Sequence, residues 1–192
     1  RRRVVIPPVM PTPRTDALSQ PLPDIRTNGS PRAMSRTPPA SVSMISLGCP
    51  RTLVDSELYL GRLQQKGFRV VEDVEGSTAV IINTCSFIQE SVKESIDTIL
   101  QAVELKRQGK IQAVIVAGCL VQRFKQGLMA DLPEVDGFVG VDGFGDIEQV
   151  VQQALQGKHP TSLRPHPRVP HQGARVARSA LTPAHYAYLK NS

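Results

Sequence analysis

Three short runs of apolar and small residues each end in a cysteine. Met-Ile-Ser-Leu-Gly precedes Cys49, Val-Ile-Ile-Asn-Thr precedes Cys85, and Val-Ile-Val-Ala-Gly precedes Cys119. These are the only three cysteines in the chain, they are spaced almost evenly, and a helix-like stretch follows each. A strand feeding a helix that returns to a parallel strand is the βαβ unit, and its repetition restricts the chain to a parallel α/β sheet. In such a sheet the carboxyl ends of the strands share one edge, and ligands bind in the crevice there. The pattern therefore predicts three thiols gathered at one edge of one domain.

The rest of the pattern agrees. Between residues 44 and 157 only two of the 16 prolines occur. Strands are expected at Met44–Leu47, Arg69–Val71, Ala79–Asn83, Ala113–Ala117 and Phe138–Val141. The run Ala113–Ala117 is fully apolar, as a strand buried on both faces should be. A helix is expected over Thr52–Lys66, with Thr52 and Asp55 spaced as a capping box and Gly67 as its stop. A long helix is expected over Phe87–Gln108, with Ile88, Val92, Ile96, Ile99, Leu100 and Val103 on one face. A short helix over Gln122–Ala130 and a last one around Ile147–Leu155 complete the set. The fold class is thus α/β, a doubly wound, flavodoxin-like parallel sheet of about five strands.

The flanks differ in composition. Residues 1–43 hold nine prolines, seven Arg and two Asp, a net charge of +5. Such a segment cannot bury a core and reads as a disordered Pro/Arg-rich extension; its Arg-rich, acid-poor character would also suit organelle targeting. Residues 44–157 carry ten Lys/Arg against fifteen Asp/Glu, a net −5, and residues 158–192 carry six Lys/Arg and no acid, a net +6. The overall +6 therefore belongs to the flanks, while the folded part is acidic. With no Trp and 4% aromatic residues, the chain lacks stacking platforms for bases, and no direct nucleic-acid binding is expected. No apolar run reaches the length of a membrane span. Three unpaired cysteines fit a reducing cytoplasm, where such residues bind metal or react.

A thiol at a strand-to-helix turn lies near the positive end of a helix dipole, which favours the thiolate and metal ligation. Gly48 and Gly118 let the backbone approach a bulky group. One buried cysteine would be explained by packing alone; three at the same topological position favour a shared ligand. A structural zinc site is closed by Cys or His ligands, and no histidine lies in residues 44–157. Three cysteines with an open position suit a 4Fe–4S cluster with one iron not held by cysteine. On these residues alone both metals stay open. Asn83 could hydrogen-bond cluster sulfurs or close a turn. Asp55 and Glu57 are expected to cap and solvate the first helix. Gln122 and Arg123 either line the crevice or begin a helix. His185 and Tyr186 are expected to pack.

The runs Ser46-Leu47-Gly48-Cys49-Pro50-Arg51-Thr52-Leu53-Val54-Asp55-Ser56-Glu57, Ile82-Asn83-Thr84-Cys85-Ser86-Phe87-Ile88 and Ala117-Gly118-Cys119-Leu120-Val121-Gln122-Arg123 resemble the N-terminal domain of the methylthiotransferases. Pro133-Glu134-Val135-Asp136 and the terminal Thr182-Pro183-Ala184-His185-Tyr186-Ala187-Tyr188-Leu189-Lys190 resemble the branch that modifies a ribosomal protein more than the sister branch that modifies adenosine in tRNA. The resemblance implies that Cys49, Cys85 and Cys119 bind an auxiliary 4Fe–4S cluster that delivers sulfur. It implies a small-subunit ribosomal protein as substrate, a sulfur donor as partner, and cytoplasmic residence. Full-length members also carry a radical-SAM barrel whose CxxxCxxC motif holds a second 4Fe–4S cluster and S-adenosylmethionine. These 192 residues contain no such motif, and Ser86 stands where members more often have Gly. The chain is accordingly read as an N-terminal fragment: extension 1–43, cluster-binding domain 44–157, and linker with a first barrel strand 158–192. By itself it is expected to be inactive, with no catalytic residue of its own. A tRNA-modifying fragment, a stand-alone Fe–S or zinc module, and a regulatory domain with merely packed cysteines are the alternatives.

Overall fold

The computed structural model describes residues 39–141, 143–163, 178–183 and 188. Residues 1–38 of the 1–43 extension, together with His185, Tyr186 and most of the 184–190 run, lie outside the described residues, whereas Ser41–Ser43, expected in the extension, belong to a strand.

The elements follow the order β1 (Ser41–Ser46), α1 (Pro50–Gln65), β2 (Arg69–Val70), β3 (Ala79–Thr84), α2 (Gln89–Arg107), β4 (Ala113–Gly118), α3 (Cys119–Asp131), β5 (Gly137–Val139), a 3-10 turn at Gly143–Asp146, α4 (Ile147–Leu155) and β6 (Thr161–Ser162). All six strands pair in parallel in the order β2-β1-β3-β4-β5-β6. The doubly wound α/β class is as expected. A sixth strand, too short to leave a pattern in sequence, extends the sheet at Thr161–Ser162.

Period-two alternation explains how one sheet buries both faces. Val80 and Ile82 of β3, with Val114 and Val116 of β4, pack under α2 and α3. Their neighbours Ala79, Ile81, Ala113 and Ile115 face the opposite way, toward Tyr59 and Leu63 of α1 and Val150 and Val151 of α4. Ile81, Ile82 and Ile115 are fully buried, and each such side chain contributes about 1.5–3 kcal/mol through removal from water. The chain passes outward from β1 to β2, then back across β1 to β3. The direction of winding therefore reverses between β1 and β3, which is where such sheets open a ligand crevice.

Several boundaries differ from expectation for physical reasons. β1 begins at Ser41 because Ser41 and Val42 pair with β2. Helix α1 starts at Pro50, two residues early, with Cys49 at the cap position and no side-chain cap bond. Proline pre-sets the helical φ and lacks an amide hydrogen that would otherwise be orphaned, so the Thr52–Asp55 capping box does not form. Helix α3 starts at Cys119 rather than Gln122 and is kinked at Lys125, whose φ is 45°. Leu100 is 50% exposed, since Ile99 already occupies the inward position on that turn. Asp136 has a role not expected from sequence. Its carboxylate accepts from the Val114 amide at 2.9 Å and from Lys106 Nζ at 2.6 and 2.7 Å, tying β4 to α2.

Helices α1 and α4 share a two-pronged ion pair. Arg62 Nε and Nη2 donate to Glu148 at 2.5 and 2.7 Å. Those hydrogen bonds hold the Glu148 carboxyl below its ordinary range, against the opposing effect of burial. A carboxyl whose folded pKa is depressed contributes stability that is fully present above its unfolded value and is lost as pH falls through the folded value. The stability difference between the native chain and Glu148→Gln is therefore expected to shrink on going from pH 7 to about pH 3. Urea unfolding at the two pH values measures it, and a difference independent of pH would count against this pairing.

Candidate functional site

The three cysteines follow the adjacent strands β1, β3 and β4, at their carboxyl ends. The last rows of pairing set this up: Ser46 lies opposite Asn83, Asn83 opposite Ala117, and Thr84 opposite Gly118. Cys49 comes three residues beyond its row, and Cys85 and Cys119 come two beyond theirs. Cys49 and Cys119 are exposed, whereas Cys85 is buried. Cys49 caps α1 and Cys119 is the first residue of α3, so two of the thiols sit at helix N-termini. Helix α2 starts at Gln89, four residues past Cys85, so the dipole argument applies to that thiol less directly.

Two glycines allow the close approach. Gly48 has φ +96°, and a Cβ there would lie 2.4 Å from Cys85 Cβ and 2.9 Å from its Sγ. Gly118 has φ +98°, and a Cβ there would lie 2.4 Å from Asn83 Oδ1 and 2.7 Å from Thr84 O. The β1–α1 turn thus rests directly on Cys85, and the β4–α3 turn rests on the end of β3. Thr84 Oγ1 donates to Ala117 O at 2.6 Å, Ser95 Oγ donates to Cys85 O at 3.2 Å, and Arg123 Nη1 donates to Ser86 O at 2.6 Å. The Cys85 loop is therefore pinned from β4, α2 and α3.

The thiols sense one another. Burial pushes the Cys119 thiol up, and negative charge at Cys85, Cys49 and Asp55 adds to this, with Arg51 pulling the other way. Burial also acts upward on Cys49, but the Thr52 hydroxyl and the amides of Thr52, Arg51 and Cys49 outweigh it and bring that thiol below its ordinary value. The Cys49 Sγ–Thr52 Oγ1 separation is 3.5 Å. Among the described residues, no three His, Cys, Asp or Glu side chains form a group that could hold a single metal ion. Phe87, two residues past Cys85, is 90% exposed, and Ile88 and Phe124 are 50% and 43% exposed, giving this edge an apolar fringe.

Other residues singled out in sequence fare differently. Asn83 is 1% exposed, and its amide donates to Thr52 O and Ser56 Oγ, both at 3.0 Å. Glu57 does not solvate α1: it is fully buried and paired with Arg178. Leu181 N donates to Glu57 Oε1 at 2.7 Å, and Ser179 N to Glu57 O at 3.0 Å. Gln122 lies within α3 rather than at its start, with Oε1 against Gly140. Arg123 stacks over Phe124, 5.6 Å being the corresponding distance for Arg62 over Phe144 and 5.4 Å for this pair. Thr52, expected only as a helix cap, approaches Cys49 instead, and the roles of Ser56 and Arg178 have no signal in the sequence beyond the nearness of Ser56 to Cys49.

A doubly wound sheet with three cysteines at its carboxyl edge defines a class, and comparison with known proteins identifies the family. Residues 41–140 match the model described as uncharacterized protein family UPF0004. The chain belongs to that family, the N-terminal domain of the methylthiotransferases. It is 44% identical over 151 residues to a protein of Bdellovibrio bacteriovorus named ribosomal protein uS12 methylthiotransferase RimO, covering 79% of this chain and 33% of that one. Proteins of the same name from Geobacter sulfurreducens and Kineococcus radiotolerans are 44% identical over 123 residues and 40% identical over 128 residues. These alignments cover 64% and 67% of this chain and 27% and 26% of those proteins. The chain spans about a third or less of the length of these curated relatives. Among the described residues, no helix is long and apolar enough to cross a membrane.

Proposed function

We propose that this domain binds an auxiliary 4Fe–4S cluster through Cys49, Cys85 and Cys119 and serves in methylthiolation of ribosomal protein uS12. The observation that carries this reading is the convergence of all three cysteines on the carboxyl edge of three adjacent strands. Their soft, anionic donor set suits iron and sulfide. When bound, the cluster would supply one iron without a cysteine ligand, on which the sulfur for transfer could be carried. The chain's own residues do the rest: Gly48 and Gly118 bring the turns together, and Thr52 and the amides of Cys49, Arg51 and Thr52 favour thiolate at Cys49. Cleavage of S-adenosylmethionine would need a second cluster on a CxxxCxxC motif, so this chain alone is expected not to complete the reaction. A reducing cytoplasm is the compartment that keeps these thiols available.

Reconstituted without air with iron and sulfide, the protein is expected to bind about four irons per chain. Any one of Cys49→Ala, Cys85→Ala or Cys119→Ala should reduce that to near background. Iron and sulfide assays with visible absorption give the readout. Full cluster content in Cys119→Ala, or stoichiometric zinc in the protein as isolated, would overturn the three-ligand reading. The substrate is tested by mass spectrometry of uS12 from cells lacking the gene: a methylthio mark that persists there, with loss of one from tRNA, would reassign it.

A further inference from the structure

Asn83 touches the β1–α1 and β4–α3 turns and lies two residues before Cys85. Its carbonyl accepts from Leu47 N at 2.9 Å, two residues before Cys49. Its side-chain amide donates to Thr52 O and Ser56 Oγ in the first turns of α1. Its Oδ1 lies against Gly118, at a place where even a Cβ would intrude. Its own strand carries Cys85 two residues on. Ser56 completes the knot: its hydroxyl lies 2.9 Å from Ser46 Oγ and 3.0 Å from Thr52 O, and Thr52 in turn approaches Cys49 Sγ. Ser56, Asn83 and Thr52 are all buried, so these bonds form where water does not compete, and an unmet donor is costly.

We infer that Asn83 is a positioning residue that sets the mutual spacing of Cys49, Cys85 and Cys119, acting through the first turns of α1 and through Gly118 rather than by touching a bound group. This deepens the cluster-binding reading and rests on it for its purpose. The geometric claim stands on the bonds themselves. The chemistry requires an amide. A carboxylate of the same shape accepts but cannot donate to Thr52 O, and it would set negative charge against that carbonyl. Loosening this contact frees the start of α1, and the Gly48 turn that covers Cys85 loosens with it.

The test uses Asn83→Asp and the milder Ser56→Ala, which removes one acceptor and leaves Thr52 O in place. In the cluster-free protein under native conditions, iodoacetamide labelling of each cysteine is followed by mass spectrometry. Cys85 in Asn83→Asp is expected to react about tenfold faster than in the native chain, as loss of one buried hydrogen-bonding donor should shift local opening. Ser56→Ala should fall between, and Cys119, already exposed, should change little. In the reconstituted protein, iron loss to a chelator should speed up about tenfold or more, the usual effect of removing a group that orients ligands. Should Asn83→Asp fail to fold, Ser56→Ala decides alone by the same readouts. Folded variants with native Cys85 protection would overturn the inference. If the native chain takes up no cluster while Cys85 labelling still responds as expected, the cluster reading fails and the positioning role stands.

Discussion

Gly48→Ala is expected to lower unfolding stability by about 2–5 kcal/mol, against about 1–2 kcal/mol for Gly67→Ala. Both glycines have a positive φ, +96° and +87°, but their environments differ. A side chain forced into the left-handed region costs roughly 1–2 kcal/mol wherever it occurs. At Gly67 nothing lies within 4 Å of the added Cβ, so that is the whole cost. At Gly48 the added carbon would meet Cys85 Cβ at 2.4 Å and Sγ at 2.9 Å, and Cys85 cannot retreat because its loop is held by Ser95 and Arg123. Overpacking of this kind adds about 1–3 kcal/mol. Urea unfolding of the two variants side by side measures the added cost at Gly48, because both pay for a side chain at positive φ. Equal losses would mean that the β1–α1 turn does not press on Cys85, and the tight thiol arrangement would lose its main geometric support.

That comparison also marks how far the residues could be read without a structure. The strand–Cys–helix repetition is legible because two signals coincide: short apolar runs such as Ala113–Ala117, and cysteines at their carboxyl ends. It was enough to anticipate the sheet class and the edge on which Cys49, Cys85 and Cys119 lie. The elements that escaped are those fixed by long-range pairing. β6 is two residues long, and only its bonding to β5 makes it a strand. The capping box at Thr52 looked sound locally, yet Pro50 took the helix start and left Thr52 to Cys49. Asn83 was visible as a polar residue at the end of a strand, but its partners Thr52 and Ser56 belong to a different element, and no local spacing signals them. Glu57 was the hardest to foresee, since an acidic residue near a helix start is ordinarily solvated, and its partner lies far along the chain.

Glu57→Ala is expected to release residues 178–183 while leaving the sheet folded. The Glu57 carboxylate is fully buried and is paired with both Nε and Nη2 of Arg178. Its other oxygen accepts from Leu181 N at 2.7 Å, and its carbonyl accepts from Ser179 N at 3.0 Å. Arg178 also donates to Tyr188 O at 2.7 Å. Breaking a buried pair costs about 3–5 kcal/mol when the surviving charge has nowhere to go. Arg178 is 26% exposed and can turn to water, which puts the loss near the lower end, about 3 kcal/mol. The cheapest way to relieve an arginine left without its carboxylate is to undock its segment, because the segment is held by these few bonds while the core strands are held by whole apolar faces. Trypsin cleavage after Arg178 should therefore accelerate about 100-fold, tracking the open population, while the urea midpoint of the domain moves little. Glu57→Gln, which keeps an acceptor for Leu181 N, should fall between. Unchanged cleavage would show that the ion pair does not hold the segment, and a large global loss without selective cleavage would move Glu57 into the core's own support. Either result bears on the thiol edge, because Glu57 sits two turns along the helix that Cys49 caps. Arg178, Ser179 and Leu181 are thus moored to the same helix whose start carries the first of the three cysteines.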